Sequence, residues 1–333
     1  MRIAVLDDYA GAFRTAPSFA RLAGHEVTVF ADTVKDPAAL AERLRNFDAL
    51  VLTQQRSPLP AAVVEALPEL RFVSQTGRNT GHLAIEACTS RGVLVSAGGA
   101  GGPEATGELA WALILASLRH IPEEERRLRD GQWQGSVGTG LKGKVLGIYA
   151  YGRIGAMVAR VGAAFGMRVV CWGREGSTER ARTAGYEVAG SREAFFAMAD
   201  VLSLHIALND ATRGIVGPAD LALMKPSALL VNTSRAQIIA PGALLDALQQ
   251  GRPGFAAVDV FEDEPVLGAA HPLIGLPNVL CTPHLGYAER GVYDALYDTA
   301  VDQLLAFAAG APVNLVNPGA RAAPAEGAPA AGD

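Results

Sequence analysis

The sequence predicts an α/β protein of two doubly wound domains, each a parallel sheet covered by helices. Three observations carry that prediction. Short apolar runs alternate with helix-length stretches through the first hundred or so residues. Residues 143–175, GKVLGIYAYGRIGAMVARVGAAFGMRVVCWGRE, read as strand, glycine turn, helix and second strand. Further apolar runs follow that unit, each ending in small or polar residues.

In chain order, residues 2–6, 26–30, 48–52, 70–74 and 92–95 are expected to be strands, with helices over 37–46 and 60–67. The stretch 75–81, QTGRNTG, follows the fourth strand, where ligands of open α/β sheets collect. Its Gly77, Arg78 and Asn79 suit an anion, with an ordinary polar loop as the plain alternative. Arg56, after the third strand, is a weaker candidate of the same kind. Residues 97–103, AGGAGGP, read as a hinge, and 104–130 as a long helix kinked or restarted at Pro122.

The unit at 143–175 presents backbone N–H groups and a helix N-terminus to a pyrophosphate, so a dinucleotide is its expected ligand. Gly152 would let the backbone approach the phosphates and Gly155 would let the helix pack on the strand, with Arg153 and Ile154 between them. Ala150 stands where the first glycine of such a turn belongs, so the turn is expected to be one that alanine can adopt. After the second strand, Gly173-Arg174 replaces the acid that would hold ribose hydroxyls. The missing repulsion and the added cation favour NADP over NAD, although Glu175 leaves a ribose contact open.

Beyond this unit, 199–205, 228–232, 255–260 and 278–281 read as strands and 287–308 as the last helix. Ile206, Ala207 and Thr212, then Thr233, Ser234 and Arg235, then 259–264, then Thr282, Pro283 and His284 follow these strands, where a cofactor would lie. From Asn317 on, NPGARAAPAEGAPAAGD is expected to be disordered.

A net charge of −5 argues against electrostatic binding of nucleic acid. No uncharged apolar run approaches the roughly 18 residues a membrane span needs, and the N-terminus enters a strand at once. Cys88, Cys171 and Cys281 have neither zinc nor disulfide spacing, so no metal is expected and the cytoplasm is the expected location.

Of the 6 histidines, His284 differs by sitting at a strand end, between Pro283 and a glycine at 286. An imidazole exchanges a proton with a substrate oxygen near neutrality, and a carboxylate beside it would orient the ring. Glu264 and Arg235 end neighbouring expected strands; an arginine fork matches a carboxylate and polarises a carbonyl. Taken singly, the three also read as a capping histidine, a solvated acid and a surface arginine.

GKVLGIYAYGRIG, NTSRAQIIAPGALLDAL, AAVDVFEDEP and NVLCTPHLGY, in this order, resemble the D-isomer-specific 2-hydroxyacid dehydrogenases, the group that includes phosphoglycerate dehydrogenase and glyoxylate/hydroxypyruvate reductases. The resemblance runs to about Pro318. It implies a flavodoxin-like substrate domain from 1–99 plus 288–316, an inserted Rossmann NAD(P)-binding domain from 100–287, and a homodimer with 104–129 in its interface. It further implies Arg235, Glu264 and His284 as catalytic residues and Gly77, Arg78 and Asn79 as the substrate-binding loop, beside which Arg56, from its place after the third strand, is a substrate-binding candidate. Thr76 would lie beside the nicotinamide, Asp259 at the nicotinamide end, and Gly286 in the cofactor site. The departures are Ala150, Gly173-Arg174, Ser234 in place of alanine, and TGRNTGH where the family has a glycine-rich run ending in Asp-Asn-Ile-Asp. Glu264 argues against formate oxidation.

The expected reaction is reversible reduction of a small 2-oxo acid to its D-2-hydroxy acid by NAD(P)H, with closure about residues 98–102. The expected partners are that acid and a second copy of the chain. The alternative is a non-catalytic dinucleotide sensor of the same fold, corepressor-like.

Overall fold

The computed structural model describes residues 1–99 and 101–320. The chain forms two compact units, Met1–Gly101 with the chain from Glu289 onward, and Gly102–Ala288.

In the first unit, β1 (Arg2–Leu6), β2 (Glu26–Val29), β3 (Ala49–Leu52), β4 (Phe72–Thr76) and β5 (Leu94–Gly98) form one parallel sheet in the order β2-β1-β3-β4-β5. Every residue of β3 and β4 is buried, which is why β3 is a continuous apolar run. β4 runs past the expected end at 74 because its polar residues are bonded: Ser74 Oγ donates to Gln303 Oε1 at 2.7 Å and Thr76 Oγ1 to the Leu52 carbonyl at 3.0 Å.

β5 likewise takes in Ala97 and Gly98, assigned above to the hinge. A Cβ on Gly98 would stand 2.9 Å from Gln303 Nε2, so that glycine is a packing requirement of the last helix, Arg290–Ala308. That helix starts later than expected, where Glu289 caps it by accepting from the N–H groups of Gly291 (2.8 Å) and Val292 (3.0 Å). The chain then returns along the outer edge of β5. Ala97 N–H donates to Asn314 O and Val316 N–H to Val95 O, and buried Asn317 accepts the Val95 N–H at 2.8 Å. Asn317, placed above at the head of a disordered tail, is thus a structural residue; 321–333 of that tail lie outside the described residues.

In the second unit, β6 (Val145–Tyr149), β7 (Arg168–Trp172), β8 (Glu187–Val188), β9 (Val201–Leu204), β10 (Leu229–Asn232), β11 (Phe255–Val258) and β12 (Val279–Cys281) form a parallel sheet in the order β12-β11-β10-β9-β6-β7-β8. The order reverses between β6 and β9, the switch point at which such sheets bind ligands. β8 is too short to leave a periodic signal. The helix expected over 104–130 is two, Glu104–Leu118 and Ile121–Arg129. They part at His120, whose φ is 53°, and Pro122 lies in the first turn of the second.

Ala150 overturns one expectation. Its φ is 75°, so the turn needs a left-handed residue and alanine takes that conformation against its preference. Ala150→Gly is expected to raise unfolding stability by about 0.5–1 kcal/mol, relief of Cβ strain exceeding the greater entropy of the unfolded glycine. Chemical denaturation of the two proteins measures it; equal midpoints would refute the strain.

Among the described residues, no helix is long and apolar enough to cross a membrane, and no cluster of His, Cys, Asp and Glu is placed to hold a metal ion.

Candidate active site

The turn after β6 leads into the helix Arg153–Ala164, whose N-cap is Gly152 and whose first turn no side chain caps. An uncapped N-terminus leaves N–H groups for an anion. A Cβ on Gly152 would meet nothing within 4 Å, whereas one on Gly155 would stand 2.5 Å from the Ala150 carbonyl oxygen. The first glycine therefore faces open space and the second packs helix on strand. Arg153 is exposed and Ile154 half-buried.

At the end of β7, a Cβ on Gly173 would stand 3.0 Å from Ser177 Oγ, which accepts the Tyr151 N–H at 2.6 Å. A side chain at 173 would crowd that hydroxyl. Arg174 is exposed at the N-cap of the helix Glu175–Thr183, and Glu175 is exposed in its first turn. Arg180 donates to the Tyr151 carbonyl at 3.3 and 3.2 Å. Sequence reasoning missed Ser177 and Arg180; the available signal was a hydroxyl and a cation on the turns following Arg174.

The loops after β9 and β10 are tied by hydroxyls. Thr212 Oγ1 donates to Ala207 O at 2.7 Å and Ser234 Oγ to Leu204 O at 2.7 Å. Ile206 is buried and Ala207 exposed. Thr233 is buried with its hydroxyl unpartnered. Asn232, another residue the sequence reading passed over, accepts the Ser234 N–H and donates to the Arg235 carbonyl, each at 3.0 Å. That turn fixes the direction in which the chain offers Arg235. His205, at the end of β9, lies 3.0 Å from Ser203 Oγ through Nε2, and burial pushes it down to about 4.

Beyond β11, Asp259 is fully buried. Its Oδ1 accepts from Thr282 Oγ1 at 2.6 Å and Leu285 N–H at 2.7 Å, and its Oδ2 from Gly286 N–H at 2.8 Å. Burial pushes this carboxyl above the ordinary range, which the three hydrogen bonds and the charge of His284 offset only in part. Thr106 Oγ1 donates to Gly286 O at 2.7 Å and closes the far end of the loop.

Within that loop His284 has φ 54°. Its Nδ1 lies 2.5 Å from Glu264 Oε2, and Glu264 Oε1 accepts the Phe261 N–H at 2.8 Å. Burial pushes Glu264 up, but the hydrogen bond and charge of His284, the Phe261 N–H and the charge of Arg235 outweigh it and bring the carboxyl below its usual value. An ionised carboxylate only accepts, so Nδ1 carries the hydrogen and Nε2 is the ring atom left to exchange a proton.

In the first unit, buried Thr76 accepts the Gln54 N–H at 2.8 Å while donating to Leu52. The Gly77 N–H donates to Gly98 O at 2.7 Å, so it is not the anion-binding amide expected of it. Exposed Arg78 and Asn79 inherit that expectation, Asn79 Oδ1 accepting the Gly81 N–H at 3.0 Å. The Arg56 guanidinium lies 4.7 Å from the centre of the Tyr9 ring. His82 sits in a turn ahead of the helix Ile85–Ser90.

The uncapped helix, the open face of Gly152 and the orphaned Thr233 hydroxyl fit a dinucleotide. The family model for the NAD binding domain of D-isomer specific 2-hydroxyacid dehydrogenases matches residues 111–286. A glyoxylate reductase of Aeropyrum pernix is 38% identical over 288 residues, 84% of this chain and 85% of that protein. A D-3-phosphoglycerate dehydrogenase of Methanocaldococcus jannaschii is 32% identical over 80% of this chain and 50% of that protein. A solved Ralstonia solanacearum structure, described as a D-3-phosphoglycerate dehydrogenase oxidoreductase, superposes with a TM-score of 0.92 at 46% identity, over 97% of this chain and 98% of that one. On motifs, fold and relatives alike, the chain belongs to the NAD-dependent D-isomer-specific 2-hydroxyacid dehydrogenases.

Proposed function

We propose that the protein reversibly reduces a small 2-oxo acid to the D-2-hydroxy acid, with His284 delivering the proton to the carbonyl oxygen. The observation that carries this reading is the 2.5 Å contact of His284 Nδ1 with Glu264, which directs Nε2 outward as the proton-bearing atom. Glu264 stabilises the imidazolium, and Arg235 takes the substrate carboxylate and polarises the carbonyl. Gly152, Arg153, Ile154 and Gly155 hold the pyrophosphate, and Asp259 keeps the His284 loop in place. When bound, the reduced nicotinamide cofactor supplies the hydride. Oxidation of NADH and NADPH with glyoxylate, hydroxypyruvate, its 3-phosphate, pyruvate and bulkier 2-oxo acids tests the reading. Tight cofactor binding with no turnover across that panel would replace it with the sensor.

NADP is the proposed cofactor of choice. Support comes from exposed Arg174 and from the glycine at 173, where a side chain would crowd Ser177. Arg174→Ala should weaken NADPH binding about 10- to 100-fold, the loss of one charge-assisted contact, and leave NADH nearly untouched. Equal losses for both cofactors would remove Arg174 from the phosphate site.

A homodimer is proposed on the exposed apolar side chains Ile121, Leu128, Trp133 and Val137, more apolar surface than one short segment of a lone chain ordinarily leaves in water. The three cysteines are free thiols, which supports a reducing cytoplasm.

A further inference from the structure

Glu264 stands in the connection between β11 and β12, and a histidine later in that connection closes it on itself. His271 Nδ1 accepts the Leu273 N–H at 3.3 Å, so the ring hydrogen sits on Nε2, which donates to Glu262 Oε2 at 2.9 Å. The same ring meets the Phe261 ring edge to face, with centres 4.9 Å apart. Phe261 is buried, and its N–H is the donor to Glu264 Oε1 at 2.8 Å. One imidazole thus grips both residues that lead the chain towards Glu264.

Packing holds this stretch weakly on one side. Residues 267–270 are exposed. A cavity of about 250 Å³, walled by Ala236, Ile239, Leu244 and Val258, borders Glu262 and His271. Side chains next to open space have fewer neighbours to fix them, so the bonds of His271 carry more of the restraint. Gln237 Nε2 adds a bond to the Glu262 carbonyl at 3.3 Å, from the turn after Arg235.

We infer that His271 is a positioning residue for Glu264: by clasping Phe261 and Glu262 it fixes the carboxylate that orients His284. The 2.5 Å contact between Glu264 and His284 tolerates little displacement, because a hydrogen bond weakens steeply with lost alignment. A shift of about 1 Å in such a group costs up to about 100-fold in rate. His271 acts through Glu264 and not on bound substrate, so its effect belongs in kcat. This inference rests on the dehydrogenase reading above.

The experiment compares the wild-type chain with His271→Asn, Glu262→Ala, Glu262→Gln, Glu264→Ala and the His271→Asn/Glu264→Ala double variant. Steady-state rates and the pH profile of kcat/KM are measured with saturating cofactor and the most active 2-oxo acid of the panel above. Asparagine keeps an oxygen to cap the Leu273 N–H but is too short to reach Glu262. Glu262 is exposed, so its replacement tests the clasp even if His271→Asn folds poorly. His271→Asn and Glu262→Ala should each lower kcat about 10-fold, with KM within about twofold. The alkaline limb of the profile should move to lower pH by about half a unit, because a displaced carboxylate stabilises the imidazolium less. Asp259 and Arg235, whose charges also reach the His284–Glu264 pair, are unaltered in these variants. Glu262→Gln, which keeps an acceptor, should retain at least about half the wild-type kcat. In the Glu264→Ala background, adding His271→Asn should change kcat by less than about twofold. A lowered denaturation midpoint with kcat and the alkaline limb at wild-type values would mean that the clasp serves folding alone, and overturns the inference. A full further loss in the Glu264→Ala background overturns it as well. A wild type inactive on the whole panel would instead sink the dehydrogenase reading, and this inference with it.

Discussion

His284→Ala is expected to lower kcat by at least about 100-fold, the lower end for loss of a positioned acid or base. The imidazole is the one group at the end of β12 whose ring is aligned by an ionised acid, through the 2.5 Å contact with Glu264. Alanine removes the proton donor and leaves Glu264 with only the Phe261 N–H among these bonds. Cofactor affinity should survive, because the helix N-terminus at Gly152 lies on a separate element. Steady-state turnover, alongside a direct titration of NADH or NADPH, reads both. Turnover like that of the wild type would remove His284 from the chemistry.

Asp259→Ala should cost both stability and activity. The substitution strands the Thr282 hydroxyl and the Leu285 and Gly286 N–H groups in a buried place. Each abandoned donor costs about 1–3 kcal/mol. Burial raises the pKa of the wild-type carboxyl above its ordinary range, and that existing penalty subtracts from the loss. A net destabilisation of about 3 kcal/mol is expected, with a fall in kcat as the loop bearing His284 loses its register. Chemical denaturation gives the first quantity and saturating-substrate rates the second. Unchanged stability would mean that the loop is held by other contacts, such as the Thr106 bond to Gly286.

Much of this was legible in the chain itself. Buried parallel strands are continuous apolar runs, so β6 and β7 stood out to the residue, and a Gly155 pressed against the Ala150 carbonyl admits no other side chain. Two-residue β8 lies below the length at which any period can register. The strand ends were misjudged wherever polar residues stay extended because a distant partner satisfies them, as Gln303 does for Ser74. The site was legible as residue types at strand ends, not as bonds. Nothing in the sequence indicated that the Gly77 N–H would be taken by Gly98, or that Asn232 would orient Arg235, since both depend on which backbone segments end side by side. Ala150 failed for a different reason: a residue's preference says what is comfortable, and tertiary packing imposed a left-handed turn regardless.

The return of the chain along β5 bears on the protein's colloidal behaviour. Backbone bonds from Asn314 and Val316, and the amide of Asn317, occupy donors and acceptors that an outermost strand would otherwise present to any passing chain. Removal of the chain beyond Ala308 would unmask that ladder and turn a covered edge into a template for self-association.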